Sequence, residues 1–247
     1  LCGRLPVVAQ LNEAIRDSLR SRLASITDPS ARLEPLRQMA WTYLFSEEAL
    51  PYLDELDSLT LALEHDPDST VRSEASSARS RLFYQRGYQA KFHRRIADAQ
   101  DDFRTALDYG SRADNVLDQA NAMNALGVSY AALHMPMQAL HWYEKEFALI
   151  MSRADGPAMY TAHIRQHKAD VLMKLGRFDE AANELAACDT TGSDRHALTL
   201  MGRGQLAAYR GDTAHALALM ARAEQVADRS HQPWDGITVL EPYARFL

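Results

Sequence analysis

Apolar residues recur every three or four positions along almost the whole chain, which is the period of an amphipathic α-helix. The first stripe of this kind comprises Val8, Leu11, Ile15, Leu19, Leu23 and Ile26. No long stretch alternates apolar and polar residues in the manner of a β-strand. The pattern therefore predicts an all-α protein.

Capping residues, prolines and glycines mark the helix boundaries. Asp28-Pro29 and Asp66-Pro67 each place a side-chain acceptor before a proline that fits the first helical turn. Pro157 and Pro233 mark two further predicted helix starts. Gly176 and Gly211 lie between predicted helices, where a residue in the left-handed conformation is needed. Short connections imply antiparallel neighbours in one continuous domain, 1–247. The approximate helix ranges are 6–26, 29–45, 47–64, 67–88, 91–109, 113–133, 136–153, 157–175, 178–188, 194–210, 213–229 and 234–246.

Small residues recur at a fixed spacing in four stretches. In each stretch, a glycine or alanine is followed twelve positions later by an alanine and, four positions after that, by a larger residue. The four sets are Gly87, Ala99 and Phe103; Gly127, Ala139 and Tyr143; Ala169, Ala181 and Leu185; and Gly204, Ala216 and Met220. We expect the small residues to let paired helices approach closely while the larger residues fill the gaps beside them.

These stretches resemble the tetratricopeptide repeat (TPR). The resemblance rests on three sets of residues: Leu126-Gly127-x-x-Tyr130 with Ala139 and Tyr143; the run Leu175 to Ala181; and Gly204, Gly211-Asp212, Ala216 and Ala223. A degenerate first repeat is also indicated, by Ala40, Trp41, Tyr43, Ala49 and Leu53. The resemblance implies a right-handed superhelical solenoid of about five to six antiparallel helix pairs. Degenerate pairs are expected at about 6–64, clearer repeats at about 80–230 and a capping helix at about 234–247.

The repeats are longer than usual. Successive seam alanines are 40, 42 and 35 residues apart, whereas the usual period is about 34. We interpret the excess as helices lengthened by whole turns, a form that resembles the repeats of bacterial sensors and regulators. Glu146 and His134 stand where the repeat usually has alanine and glycine, so a kink or looser packing is expected there.

Composition limits the classes of partner. Apolar residues make up 47% and charged residues 24% of the chain, and the formal net charge is −6. A globular protein without direct nucleic-acid contacts is expected, because acidic residues follow the one basic cluster at 91–95. No apolar run reaches the roughly 18 residues of a membrane span. Compartment stays open between the cytoplasm and, for a membrane-anchored sensor, the periplasm; Leu1-Cys2-Gly3 could be the remnant of a signal peptide.

Candidate catalytic and metal-binding residues are few. The chain has neither a glycine-rich phosphate loop nor a Gly-x-Ser-x-Gly elbow, so we expect no catalysis and no cofactor. His163 and His167 are four residues apart, but they lack the intervening glutamate of a zinc helix and an obvious third ligand. We therefore interpret them as solvated surface histidines. Cys188 falls where the repeat requires a small buried residue, which favours a packing role.

The resemblance also suggests a recognition surface. In TPR arrays the first helix of each pair lines the concave face, which here implies a peptide- or partner-binding site formed by Tyr84, Tyr88, Lys91, Asn121, Asn124, Gln166, Asp170, Lys174, Gln205 and Tyr209. Side-chain amides can pair with a peptide backbone, and tyrosines supply rigid contact area. No convergent basic set is present, which argues against a clamp for chaperone C-terminal tails.

A non-catalytic protein- or peptide-binding module is the function that this sequence favours. The resemblance suggests the sensory region of a larger bacterial signalling protein, attached to a diguanylate cyclase, a kinase or a DNA-binding output. The alternatives are a free-standing scaffold and the regulatory domain of a transcription factor. The apolar stretch from Trp234 to Leu247 is expected to cap the last repeat, or else to form a homodimer contact or lead into a further domain.

Overall fold

The computed structural model describes residues 5–43, 46–153, 158–188 and 196–229, and these residues form helices without any β-strand. One 3₁₀ turn, Glu47–Ala49, precedes α3. The helices are α1 Leu5–Ser25, α2 Pro29–Thr42, α3 Leu50–Leu63, α4 Ser69–Phe92, α5 Ile96–Arg112, α6 Val116–Ala132, α7 Pro136–Met151, α8 Ala158–Lys174, α9 Phe178–Ala186, α10 His196–Tyr209 and α11 Thr213–Arg229. The prediction of an all-α protein is confirmed. Within the described part of the chain, no helix is long and apolar enough to cross a membrane.

One of the two predicted aspartate caps is confirmed and the other is wrong. Asp28 accepts a hydrogen bond from the backbone N–H of Ala31 at 3.2 Å and caps α2. At α4 the cap is Asp68, which accepts from the N–H of Thr70 at 2.8 Å. Asp66 instead accepts from the N–H of Asp68, so it shapes the approach to the helix. Pro157, Pro233 and the predicted helix 234–246 lie outside the described residues.

Five helix-to-helix turns have the same construction. Each contains one left-handed residue, and the N–H of the next residue donates to a carbonyl five positions earlier, as Arg177 does to Leu172 at 2.9 Å. The left-handed residues are Arg94, Asp114, His134, Gly176 and Gly211. The two predicted glycine stops are confirmed. The predicted end of the fourth helix at residue 88 is wrong, because the turn is centred on Arg94 and Gly87 lies inside α4.

The predicted glycine seams at Gly87 and Gly204 are confirmed by the packing distances. A Cβ at Gly87 would lie 2.5 Å from the ring of Phe103, so only glycine lets α4 approach α5 this closely. At Gly204 a Cβ would lie 2.9 Å from Met220 Cγ and 3.2 Å from the carbonyl oxygen of Ala216. These partners are the seam residues that the spacing indicated. The looser packing expected at Glu146 is not found, because this residue is 2% exposed and α7 is continuous.

The chain divides into two compact units, Leu1–Ser129 and Tyr130–Leu247. In the first unit, residues from α1 to α4 share a core, and its fully buried members include Leu36, Met39, Leu56 and Leu82. In the second unit, α10 packs on α11 through a cluster that includes Met201 and Met220.

Whether the chain is a single domain remains a prediction. Helices α5 and α6 have 17 residues each. The lengthening of helices by whole turns remains a prediction.

Candidate functional site

A groove of about 400 Å³ lies in the second unit, where side chains of α7, α8, α9 and α10 converge. Helix α8 supplies most of the polar groups, and α10 faces them with apolar residues and one amide. The lining residues are Tyr143, His163, Gln166, His167, Asp170, Met173, Leu185, Leu198, Met201, Gly202 and Gln205. The groove is therefore mainly the product of two first helices, α8 and α10, of successive pairs.

The apolar part of the groove is well packed. Met173, Leu185 and Met201 are each at most 3% exposed, so the inner wall is fixed by the core of the unit. Gly202 brings α10 close to α9, because a Cβ there would lie 2.9 Å from Leu185 Cδ2. The absence of a side chain at Gly202 also leaves space in the groove. Methionine side chains adapt to ligands of different shape, which suits such a surface to recognition.

The polar groups of the groove are held by bonds along and between its helices. Gln166 Nε2 donates to Thr199 Oγ1 at 2.6 Å and so connects α8 to α10. Asp170 accepts from Lys174 Nζ at 2.6 Å, one turn along the same helix. Both amides, Gln166 and Gln205, are half-buried, and the bond to Thr199 restricts the orientation of Gln166 before anything binds. Amides held in this way can donate to and accept from a peptide backbone.

Two histidines form a contact pair on the wall of the groove. The ring centroids of His163 and His167 are 4.2 Å apart, with the ring planes at 69°. His167 Nδ1 lies 3.1 Å from the hydroxyl of Tyr143, a residue of α7 that is 2% exposed. Both imidazoles are half-buried, so their interpretation as solvated surface histidines is wrong. Within the described ranges, no group of three or more His, Cys, Asp or Glu side chains could hold a metal ion.

The first unit carries an aromatic surface on α2, α4 and α5. The rings of Trp41 and Tyr84 are stacked at 6.5 Å, and Tyr84 and Tyr88 lie 4.9 Å apart with Phe103 beneath them. Lys91 Nζ is 5.6 Å from the ring centre of Tyr88, within the range of a cation–π interaction. Burial lowers the pKa of Lys91 from its ordinary value, because the low-dielectric surroundings disfavour the charged ammonium.

Solved structures share this arrangement of helices at low sequence identity. BtubC (BKLC) from P. vanneervenii has a TM-score of 0.65 at 14% identity, over 91% of this chain and 92% of that chain. A putative kinesin light chain from Podosopora anserina, with nearly identical TPR-like repeats, has a TM-score of 0.56 at 13% identity, over 84% of this chain and 100% of that chain. The chain has a TPR-like fold. No protein-family model matches the sequence, and no curated protein does.

In the TPR-like fold, α4, α6, α8 and α10 are the first helices of their pairs, and they carry all ten predicted site residues. The structure brings Gln166, Asp170 and Gln205 together in the groove. It brings Tyr84, Tyr88 and Lys91 together on the aromatic surface.

The remaining predicted residues neither line the groove nor take part in the ring contacts of the aromatic surface. Asn121 and Asn124 are half-buried on α6, and Lys174 is exposed beside Asp170. Tyr209 is 53% exposed and packs at 5.8 Å on Phe178 of α9, which turns it away from the residues that line the groove. Whether any of the ten binds a partner remains a prediction.

Sequence reasoning missed several residues of both surfaces. Trp41 stacks on Tyr84 but was interpreted only as part of a degenerate repeat. His163 and His167 were considered only for metal binding. Their signal was available: with Asp170 they recur at intervals of four and three residues, which places all three on one face of α8.

Proposed function

We propose that this protein is a non-catalytic module that binds a peptide or an extended protein segment in the groove between α8 and α10. The observation that supports the proposal is the combination of two half-buried amides, Gln166 and Gln205, with an apolar wall that contains Met173 and Met201. Amides suit the polar backbone of a peptide, and the wall suits its apolar side chains. The volume of about 400 Å³ lies within the range of ligand pockets and fits a few residues.

The finer proposal is that this module is the sensory or regulatory region of a larger bacterial signalling protein. Its support is the resemblance of the long repeats, together with the length of α4, which has 24 residues. Binding in the groove would shift the population of helix arrangements and so transmit a signal to an attached output domain. The full reading frame distinguishes this proposal from a free-standing scaffold or a transcription-factor regulatory domain, since an adjoining cyclase, kinase or helix-turn-helix segment identifies the output.

Selection from a library of random peptides of about twelve residues tests the groove. Peptides selected on the wild-type protein are expected to lose at least about tenfold in affinity for a Gln205→Trp variant, because the indole would fill the groove. Gln225→Trp is the matched control, since Gln225 is exposed on α11 and is not a lining residue. Equal affinity for both variants, with both folded by circular dichroism, would remove the groove from the proposal.

A further inference from the structure

The rings of His163 and His167 meet nearly edge to face at a centroid distance of 4.2 Å. In such an arrangement the positive edge of an imidazolium can point at the electron-rich face of a neutral ring, which is favourable. Two protonated rings would place like charges at the same short distance, which is unfavourable.

Tyr143 fixes the position of this pair relative to the groove. Its buried hydroxyl lies 3.1 Å from His167 Nδ1 and holds the imidazole against α7. The rings of Tyr143 and His167 are also in edge contact, with centroids 5.1 Å apart and planes at 84°. Because both histidines line the groove, a proton on either ring adds a positive charge at the surface that a peptide would contact.

The charged groups on α8 and α9 around the pair largely offset one another. Asp170 of α8 is paired with Lys174 at 2.6 Å. Arg165 and Lys168, also on α8, are both paired with Glu184 of α9, to which Arg165 donates at 2.7 Å. The groove-lining residues that α10 contributes carry no charge.

Helix α7 contributes Tyr143 to the lining. Among the described residues that line the groove, the one carboxylate is Asp170, and it is already paired with Lys174. A proton on either imidazole therefore adds a positive charge to the lining.

We propose that the groove recognises a peptide with a carboxylate side chain, and that protonation of the His163–His167 pair strengthens this binding in mildly acidic solution. This inference rests on the proposed function, and it specifies the chemical class of the peptide and the pH that regulates its binding. When the pair holds a proton, the groove offers a cation beside the apolar wall. A peptide with an acidic residue next to an apolar residue would pair its carboxylate with this cation and pack its apolar side chain on the wall. At higher pH the cation is lost, and the apolar wall and the amides remain.

The test selects random peptides on the wild-type protein at about pH 5.5 and at about pH 7.5, which bracket the usual titration of histidine. We expect aspartate and glutamate to be enriched only in the pool from the lower pH. A synthetic peptide from that pool should bind about three- to fivefold more tightly at the lower pH, the size expected for one partly solvated ion pair. Its amide counterpart, with Asn or Gln for each acid, should change by less than about twofold.

Histidine variants attribute the effect to the pair. His163→Gln with His167→Gln should abolish the pH dependence, whereas His141→Gln should keep it, because His141 is an exposed histidine of α7 outside the groove. Circular dichroism verifies that each variant is folded. Retention of the pH dependence in the double variant overturns the inference. Peptides selected without acidic preference overturn it as well but leave the proposed function standing, whereas failure to select any peptide at either pH contradicts both.

Discussion

Gly87 and Phe103 meet so closely that the ring of Phe103 occupies the space where any other residue at position 87 would place its Cβ. The three nearest ring carbons would lie 2.5, 2.7 and 2.9 Å from such an atom. Phe103 is fully buried and cannot turn away into solvent. The contact between α4 and α5 therefore depends on glycine at this position.

We predict that Gly87→Ala destabilises the protein by about 1–3 kcal/mol through overpacking, although alanine has the higher helix propensity by about 1 kcal/mol. Urea denaturation measures the change. Phe103→Leu should restore part of the loss when combined with Gly87→Ala, which a double-mutant cycle would show as favourable coupling. Gly202→Ala should cost less, because the atom it meets is a terminal methyl of Leu185 that can move. A Gly87→Ala variant as stable as the wild type would contradict the close seam.

The buried carboxylate of Asp118 connects α6 to α4. It accepts a hydrogen bond from Ser77 and another from Arg81 Nε at 2.9 Å, and its side chain is 3% exposed. We predict that Asp118→Ala lowers the free energy of unfolding by about 2–3 kcal/mol, because two donors lose a buried acceptor.

Asp98→Ala is the matched control for this prediction. Asp98 pairs with Arg95 at 3.0 Å, but both side chains are 59% exposed. Its removal should cost less than about 0.5 kcal/mol, as is usual for a solvated pair. Equal losses for the two variants in chemical denaturation would show that Asp118 does not stabilise the packing of α6 on α4.

Stability should depend on pH through Asp102. The pKa of this carboxyl is raised from 3.8 to about 6, mainly by burial. Arg86 and Arg95 lower it, whereas Asp98 and Asp101 contribute to the rise. The folded state therefore holds the proton more tightly than the unfolded state. The resulting stability is present below about pH 4 and is lost as the pH rises to about 6.

At about pH 7, Asp102→Asn should consequently be more stable than the wild type, by about 1 kcal/mol after allowance for solvent screening of this half-exposed group. The advantage should disappear at about pH 4, where the wild-type carboxyl is protonated. Asp108→Asn provides the control, since Asp108 is exposed and paired with Arg112 at 2.6 Å. A difference between Asp102→Asn and wild type that does not change with pH would refute the raised pKa.

Cys188 should resist thiol reagents in the folded protein. The residue is 3% exposed, its Sγ donates to the carbonyl oxygen of Ala162 at 3.4 Å, and burial raises the pKa of the thiol to about 11. In a Cys2→Ser background, where Cys188 is the remaining thiol, labelling by a disulfide reagent at about pH 8 should be at least about 100-fold slower than in urea. Similar rates in the two states would be incompatible with a packing role.

The sequence indicated the seams correctly because packing there requires small residues at one spacing. It indicated some boundaries wrongly because the same residue types serve several purposes. The fourth helix was predicted to end at residue 88, yet it continues to Phe92, and the turn is closed by Arg94 in a left-handed conformation. Asp66 and Asp68 are both suitable caps, and only the path of the chain before α4 decides between them.

The groove could be predicted only in part. The first-helix positions Gln166, Asp170 and Gln205 follow from the resemblance to the TPR, which implies that the first helix of each pair lines the binding face. The space between them depends on Gly202 and on the rotamers of Met173 and Met201, which no local pattern specifies. The contact of Tyr143 with His167 joins residues 24 positions apart, and its chemistry depends on a distance of 3.1 Å.

The left-handed residues Arg94, Asp114 and His134 follow one another at intervals of twenty positions. Removal of the forty residues from Arg95 to His134 would therefore join two equivalent turns without cutting a helix. Ala139 and Tyr143 would then occupy the positions that Ala99 and Phe103 hold relative to Gly87. The chain is divisible at these turns, so the gain or loss of one hairpin by gene duplication or deletion would keep the spacing of the small and large seam residues.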